Sequence, residues 1–152
     1  MTRTKAEFRA LRETVGMTQA ALAAAMGVEV RSVKRWEKPN PHGWYDPPQD
    51  AWDVLDGALA AQRRAVEKAL EVVENVAEEH GEPQAVELAY WLSEADYVSW
   101  STDSALDAPG DWRMANANAR AAASALAALG YRVRFESGAP FPAPDAEISC
   151  TN

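Results

Sequence analysis

The stretch TQAALAAAMGVEVRSVKRWE at 18–37 leaves room for two short helices with one glycine between them. Thr18 offers an N-cap hydroxyl, Leu22 and Met26 stand one turn apart, and alanines fill the positions between. Gly27 tolerates the positive φ that a tight turn between helices requires. The next helix runs through Val30 to Glu37, with Val33 and Trp36 inward and Arg31, Ser32, Lys34 and Arg35 outward. Ala23 is small enough for the two helices to cross closely. Val28, Val33 and Trp36 are expected to anchor the second helix, which leaves its basic face turned to the outside.

The flanks are read in the same way. Thr4 followed by Glu7 is a capping-box pattern, and Phe8, Leu11 and Val15 form one apolar helical stripe that Gly16 ends. Pro39, Pro41, Pro47 and Pro48 predict a loop over 38–48. Helical character resumes at about Asp50, with Trp52, Leu55 and Leu59 on one face. A long polar-rich helix is predicted over 58–80, where Leu59, Val66 and Val73 recur every seven residues and Leu70, Val76 and Ala77 widen the stripe. After Gly81 and Pro83 the period falls to two, and Val86, Leu88 and Tyr90 mark a strand. A short helix capped by Ser93 follows, then a polar loop over 101–111 and a helix from Trp112 to Leu129 stopped by Gly130. Tyr131, Val133 and Phe135 mark a second strand. Residues 137–152 hold Pro140, Pro142 and Pro144 without periodicity and are expected to be disordered. On the helix from Trp112, the residues Trp112, Ala115, Ala119, Ala122, Leu126 and Leu129 alternate three- and four-residue steps, a seam that packs on another layer. A lone two-stranded ribbon is marginal in water, so the seam is expected to meet a second copy of the chain.

The chain has 152 residues and a net charge of −8, which as a uniform charge would repel phosphate. It is not uniform. Residues 1–40 carry Arg3, Lys5, Arg9, Arg12, Arg31, Lys34, Arg35 and Lys38 against Glu7, Glu13, Glu29 and Glu37, a balance of +4, and the rest carries −12. Such asymmetry points to a nucleic-acid-binding head beside an acidic remainder. The single cysteine, Cys150, excludes a disulfide framework, and with two histidines it leaves too few ligands for a zinc site, so no cofactor is expected. No apolar run approaches the roughly 18 residues of a membrane span. The basic MTRTK start is not followed by an apolar stretch, so no signal peptide is expected and the cytoplasm is the expected compartment.

Thr18-Gln19, Leu22-Ala23, Gly27, Val28, Val33 and the Trp36-Glu37 ending closely resemble the helix-turn-helix of Cro/CI-type (XRE) regulators. The order of elements, with Asp111-Trp112-Arg113 opening the long helix, is similar to the YdiL-like and anti-CRISPR-associated repressors. Those pair such a head with a C-terminal dimerisation domain. The resemblance implies a mainly α fold, an N-terminal helical helix-turn-helix bundle plus a small C-terminal α+β (β-α-α-β) dimerisation domain. The expected division is 1–57 for DNA binding, 58–82 as a bridging helix, 83–136 for dimerisation and 137–152 as tail. It further implies a cytoplasmic homodimeric repressor that reads an inverted repeat in double-stranded DNA, with no enzymatic activity. By resemblance, Gln19 contacts phosphate and braces the recognition helix, while Val30 and Arg31 face base edges. Arginine there can take guanine with two hydrogen bonds, and valine favours a thymine methyl. Ser32, Lys34 and Lys38 are expected on phosphates, and Arg35 on either. Two departures stand out: Glu29 replaces the Ser or Thr that often starts the recognition helix, and a Pro-rich loop replaces the usual glycine after Trp-Glu. In that loop, Asn40, His42 and Trp44 either touch the DNA backbone or pack on the bundle, and packing is favoured.

Three other readings compete. Asp96, Asp103, Asp107 and Asp111 are close in sequence, but Asp is favoured at helix caps and in loops, and no nucleophile or phosphate-loop pattern accompanies them. An antitoxin would use the acidic remainder to mask a basic partner protein. A ligand-responsive regulator would line a pocket with Tyr90, Trp91, Tyr97, Trp100 and Trp112, although aromatics at such spacing are more often core.

Overall fold

The computed structural model describes residues 2–40, 44–100 and 111–137. They fold mainly as helix, with one small parallel pair of strands. Helix α1 spans Lys5–Thr14, α2 Gln19–Met26 and α3 Val30–Glu37. Thr4 and Glu7 cap α1 reciprocally, as the capping-box pattern predicts. The Thr18 hydroxyl accepts from the Ala21 N–H at 3.0 Å, and Gly27 takes φ +66° between α2 and α3. The packing that follows is aromatic at its centre. Phe8 meets Trp52 edge-on at 5.0 Å and Trp36 at 6.2 Å between ring centroids. Val15, Leu22, Ala23, Val33, Ala51 and Leu55 close around them, all buried. Val28 departs from expectation: it is 37% exposed, because it lies in the turn before α3 rather than on the inner face of that helix.

Helix α4 spans Gln49–His80, 32 residues or roughly 48 Å at 1.5 Å each. It is continuous across positions 57 and 58, where the sequence suggested a change from bundle to bridge. Its first turns bury Ala51, Trp52 and Leu55 in the N-terminal core, and Val73 is buried about two turns from its end. Gln62, buried on the same helix, donates to the Thr14 carbonyl at 2.9 Å and so satisfies an end group of α1.

Beyond α4 come β1 (Val86–Ala89), α5 (Glu94–Trp100), α6 (Trp112–Ala128) and β2 (Val133–Glu136). The strands pair in parallel, with Val86 opposite Val133 and Leu88 opposite Phe135. Parallel pairing needs a crossover, and α5 and α6 supply it. No strand residue is fully buried. Helix α6 lies between α4 and the sheet. Met114, Asn116, Ala117, Ala122 and Leu126 are its buried residues, and Met114 joins the N-terminal core. Of the predicted seam, Ala122 and Leu126 are therefore covered within the single chain, Trp112, Ala115 and Ala119 remain half-buried, and Leu129, the C-cap, is exposed. The buried face is turned relative to that seam because α6 packs on two neighbours rather than one. Asn116 faces the sheet side, where its amide exchanges two 2.8 Å hydrogen bonds with the Trp91 backbone and so continues the β1 ladder with a side chain. Most of the loop expected at 101–111, the tail from 138 onward and the positions of His42, Asp103 and Asp107 lie outside the described residues.

One glycine fixes how α6 docks. Gly16 has φ +75°, and a Cβ there would stand 2.5 Å from the Arg113 carbonyl oxygen and 2.7 Å from Ala117 Cβ. Gly27 shares the left-handed conformation but has open space around it. Gly16→Ala should therefore cost about 2–4 kcal/mol from backbone strain plus overpacking. Gly27→Ala should cost about 1 kcal/mol from the backbone alone. Urea unfolding of the two variants measures the difference, and equal losses would show that α6 does not rest on Gly16.

Candidate nucleic-acid interface

The outer face of α3 is held by an interaction on its inner side. Arg12 is buried at the end of α1, and its guanidinium donates through Nε and Nη2 to the two carboxylate oxygens of Glu37, the Nη2 bond measuring 3.0 Å. Its Nη1 donates to the Met17 carbonyl at 2.9 Å. Gln19 Nε2 donates to Glu37 Oε2 at 2.9 Å. Three pieces of chain meet at one carboxylate, the end of α1, the start of α2 and the end of α3, and Arg12 ties the turn at 17 to them. Burial pushes the Glu37 carboxyl up, but the hydrogen bonds from Arg12 and Gln19 more than offset this and hold it below the usual carboxylate range. Gln19 is thus a brace of α3, the second of the two roles expected for it.

With Val33 at the centre of the core and Trp36 against Phe8, the remaining α3 side chains face out. Val30, Arg31, Lys34, Arg35 and Lys38 are exposed, and Ser32 is half-buried. Glu29, the N-cap, makes no capping hydrogen bond and pairs instead with Arg31, both carboxylate and guanidinium being solvent-exposed. Such a pair is worth about 0–1 kcal/mol and is readily exchanged for another anion. Arg35 lies over the Tyr45 ring, 5.2 Å from its centroid.

The basic residues of the first forty positions divide into two sets. Arg3 pairs with Asp56 through two bonds of 2.8 and 2.9 Å and stacks over Trp52 at 3.8 Å. Arg9 pairs with Glu13, and Arg12 with Glu37. Lys5 Nζ donates to the carbonyls of Arg35, Trp44 and Tyr45 at 3.0–3.1 Å, which ties the loop after α3 to the helix end. The described part of the Pro-rich loop therefore packs on the bundle, although Trp44 and Tyr45 keep exposed rings. Lys34, Arg35 and Lys38 meet no carboxylate among the described residues.

Sequence reading noted Glu37 only as the end of the motif and counted Arg12 only as charge. The signal for Arg12 was its position: with Phe8 and Val15 it lies on the apolar stripe of α1, where a guanidinium needs a buried partner. Among the described residues no His, Cys, Asp or Glu group is placed to hold a metal ion, and no helix is long and apolar enough to cross a membrane.

No protein-family model matches this chain, and no curated protein is significantly similar to it. The buried cluster makes its own prediction. Glu37→Ala strands the Arg12 guanidinium and should cost about 3 kcal/mol. Because the native Glu37 carboxyl lies below its ordinary 4.5, its contribution is present above that pH and is lost as pH falls through the native value. Chemical denaturation at a series of pH values between neutral and 3 should show the wild type losing stability on the acid side more steeply than Glu37→Gln; parallel profiles would contradict the assignment.

Proposed function

We propose that the chain is a sequence-specific double-stranded DNA-binding regulator, in which α2 and α3 form a helix-turn-helix and α3 enters the major groove. The observation that carries this is the α3 face. A helix locked from behind by Val33, Trp36 and the Glu37 cluster presents Lys34, Arg35 and Lys38 without acid partners among the described residues, in a chain that is acidic overall. Val30 and Arg31 are exposed at the start of the helix, where recognition helices meet base edges. Arg31 exchanges the exposed Glu29 carboxylate for guanine. Lys34 and Lys38 take phosphates, Arg35 takes either, and half-buried Ser32 is left a supporting phosphate contact. Glu29 opposes loose phosphate binding and so favours sites where bases are read.

The reading includes a homodimer and a repressor acting on an inverted repeat. What supports association is the sheet. Parallel strands are ordinarily covered on both faces, yet here Phe135 is exposed, as are Leu92 after β1 and Val98 on α5. Trp112, Ala115 and Ala119 of α6, half-buried within one chain, keep area for a second copy to cover. A second reading, an antitoxin, draws support from a groove between α4 and α6. Its apolar floor includes Leu70, Ala77 and Leu126, and its rim carries Glu74, Glu78 and Glu82. It predicts stoichiometric co-purification of one small basic protein encoded beside this gene, abolished by Glu74→Lys with Glu78→Lys.

Binding is tested by mobility shift on the DNA upstream of the gene against random sequence; equal affinity for both would overturn specific readout. Arg31→Ala should cost about 1–3 kcal/mol on the specific site and relax discrimination. Lys34→Ala should weaken all sequences alike and lower the salt slope by about 1. Phe135→Arg, a change at an exposed position, should shift sedimentation toward the monomer and weaken binding to a full inverted repeat more than to a half-site. An unchanged sedimentation profile would move the dimer contact elsewhere.

A further inference from the structure

Beside Gly16, where α6 docks on the turn between α1 and α2, there is a cavity of about 280 Å³. Gly16, Tyr90, Trp112, Arg113, Asn116 and Arg120 line it. Of the chain's other arginines, Arg3, Arg9, Arg12, Arg31 and Arg134 each meet a carboxylate, while Arg35, Arg63, Arg64 and Arg132 meet none among the described residues. Arg113 and Arg120 meet none among the described residues, although the chain holds 23 acids. They meet rings instead. Arg113 Cζ stands 4.5 Å over Trp112, and Arg120 Nη1 donates to the Tyr90 hydroxyl at 2.8 Å with Cζ 5.9 Å from the ring centroid. A guanidinium held by its face keeps N–H edges for an anion, and that fork fits a carboxylate or phosphate.

We infer that this cavity binds a small organic anion, a carboxylate or phosphate monoester carried on a flat ring. The anionic group takes the N–H edges of Arg113 and Arg120, which project from α6 seven residues apart and so lie on one face of the helix. The ring covers Tyr90 and Trp112, which are half-buried and keep ring area to offer. Asn116 is a rigid floor, since both of its amide atoms are spent on Trp91. The volume lies at the small end of the roughly 300–1,000 Å³ typical of ligand sites, which restricts the ligand to about one ring and its acid group. A ligand here touches both Gly16, in the turn leading to α2, and Tyr90, at the end of β1. Any effect on DNA affinity rests on the DNA-binding reading above; the binding itself does not.

The test is run on the full chain without DNA, so that the two readings fail separately. Amide and indole resonances are followed while benzoate, phenyl phosphate, inorganic phosphate or benzyl alcohol is titrated. Benzoate, phenyl phosphate or both should shift Gly16, Trp112 and Asn116 saturably, and whichever acts identifies the acid group. Benzyl alcohol should bind at least about tenfold more weakly, because it lacks the charge that the arginines read. Arg113→Ala with Arg120→Ala should abolish the shifts, and Arg120→Gln alone should weaken them. Both arginines are exposed, so the fold is expected to survive these changes. No saturable shift from either ring anion at about 10 mM, beyond any useful affinity, would overturn the inference. So would shifts that persist in the double variant, or inorganic phosphate binding as tightly as phenyl phosphate. A double variant that loses affinity for every DNA sequence while the unmodified protein ignores both ring anions would assign these arginines to duplex phosphates and likewise overturn it.

Discussion

A single carboxylate, that of Glu37, sets where the outer face of α3 points. Arg12 brings α1 to it, Gln19 brings the first turn of α2, and Glu37 itself is the last residue of α3. Helices as short as α2 and α3, eight residues each, are not stable alone in water. They need tertiary contacts, and apolar packing through Leu22, Ala23 and Val33 supplies most of the energy. Apolar packing is poorly directional, however, and leaves a short helix some freedom to roll. The fork of Arg12 meeting a carboxylate that also accepts from Gln19 has one good geometry. A polar cluster of this kind adds little net stability compared with an apolar substitute, and what it contributes is orientation. Orientation is what a helix must have if Val30 and Arg31 are to reach particular base edges.

The same cluster changes the meaning of the charge count. The +4 balance of residues 1–40 suggested a broadly basic head. Half of its eight basic residues are consumed by the fold: Arg3 on Asp56, Lys5 on backbone carbonyls, Arg9 on Glu13 and Arg12 on Glu37. What is left for a partner is concentrated on α3 and the residue after it. Attraction of this head for phosphate therefore depends on a few side chains rather than on a diffuse field. That arrangement suits recognition better than bulk binding, since loose association grows with the number of phosphates neutralised.

Local chemistry was legible in the sequence. The capping pair Thr4 and Glu7, the Thr18 cap, the left-handed Gly27 and the inward positions of Val33 and Trp36 all follow from rules that act within a few residues. What was not legible depends on contacts far apart in the chain. Val28 has the character of a core residue, but its burial depends on where the turn leaves it. The break placed at 57 and 58 came from a change in composition, and an α-helix passes through such a change without interruption. Which face of α6 is buried within the single chain was not legible for a related reason. A seam template assumes one partner, and α6 has α4 on one side and the sheet on another, so Met114, Asn116 and Ala117 are buried where the template expected Trp112 and Ala115. The arginines that count most were hidden too, because their roles depend on what they meet: a buried carboxylate for Arg12, rings for Arg113 and Arg120.

Helix α6 joins these parts. Its first turns rest on Gly16, Met114 reaches the core built by α1 to α4, and Asn116 extends the β1 ladder. The N-terminal bundle and the small sheet are thus connected by packing and not only by the length of α4. Gly16 faces the Arg113 carbonyl and the Ala117 methyl, neither of which is a flexible group that can yield, so a displacement of α6 bears on the turn between α1 and α2. That turn carries Met17, whose carbonyl is bound by Arg12, and leads directly to Gln19, which holds Glu37. On the dimer and ligand proposals above, anything that shifts α6 acts one short step from the carboxylate that orients α3. Coupling by this route requires only that the Gly16 contact stay rigid while α6 has two resting positions, since packed interfaces switch between discrete arrangements rather than deform smoothly.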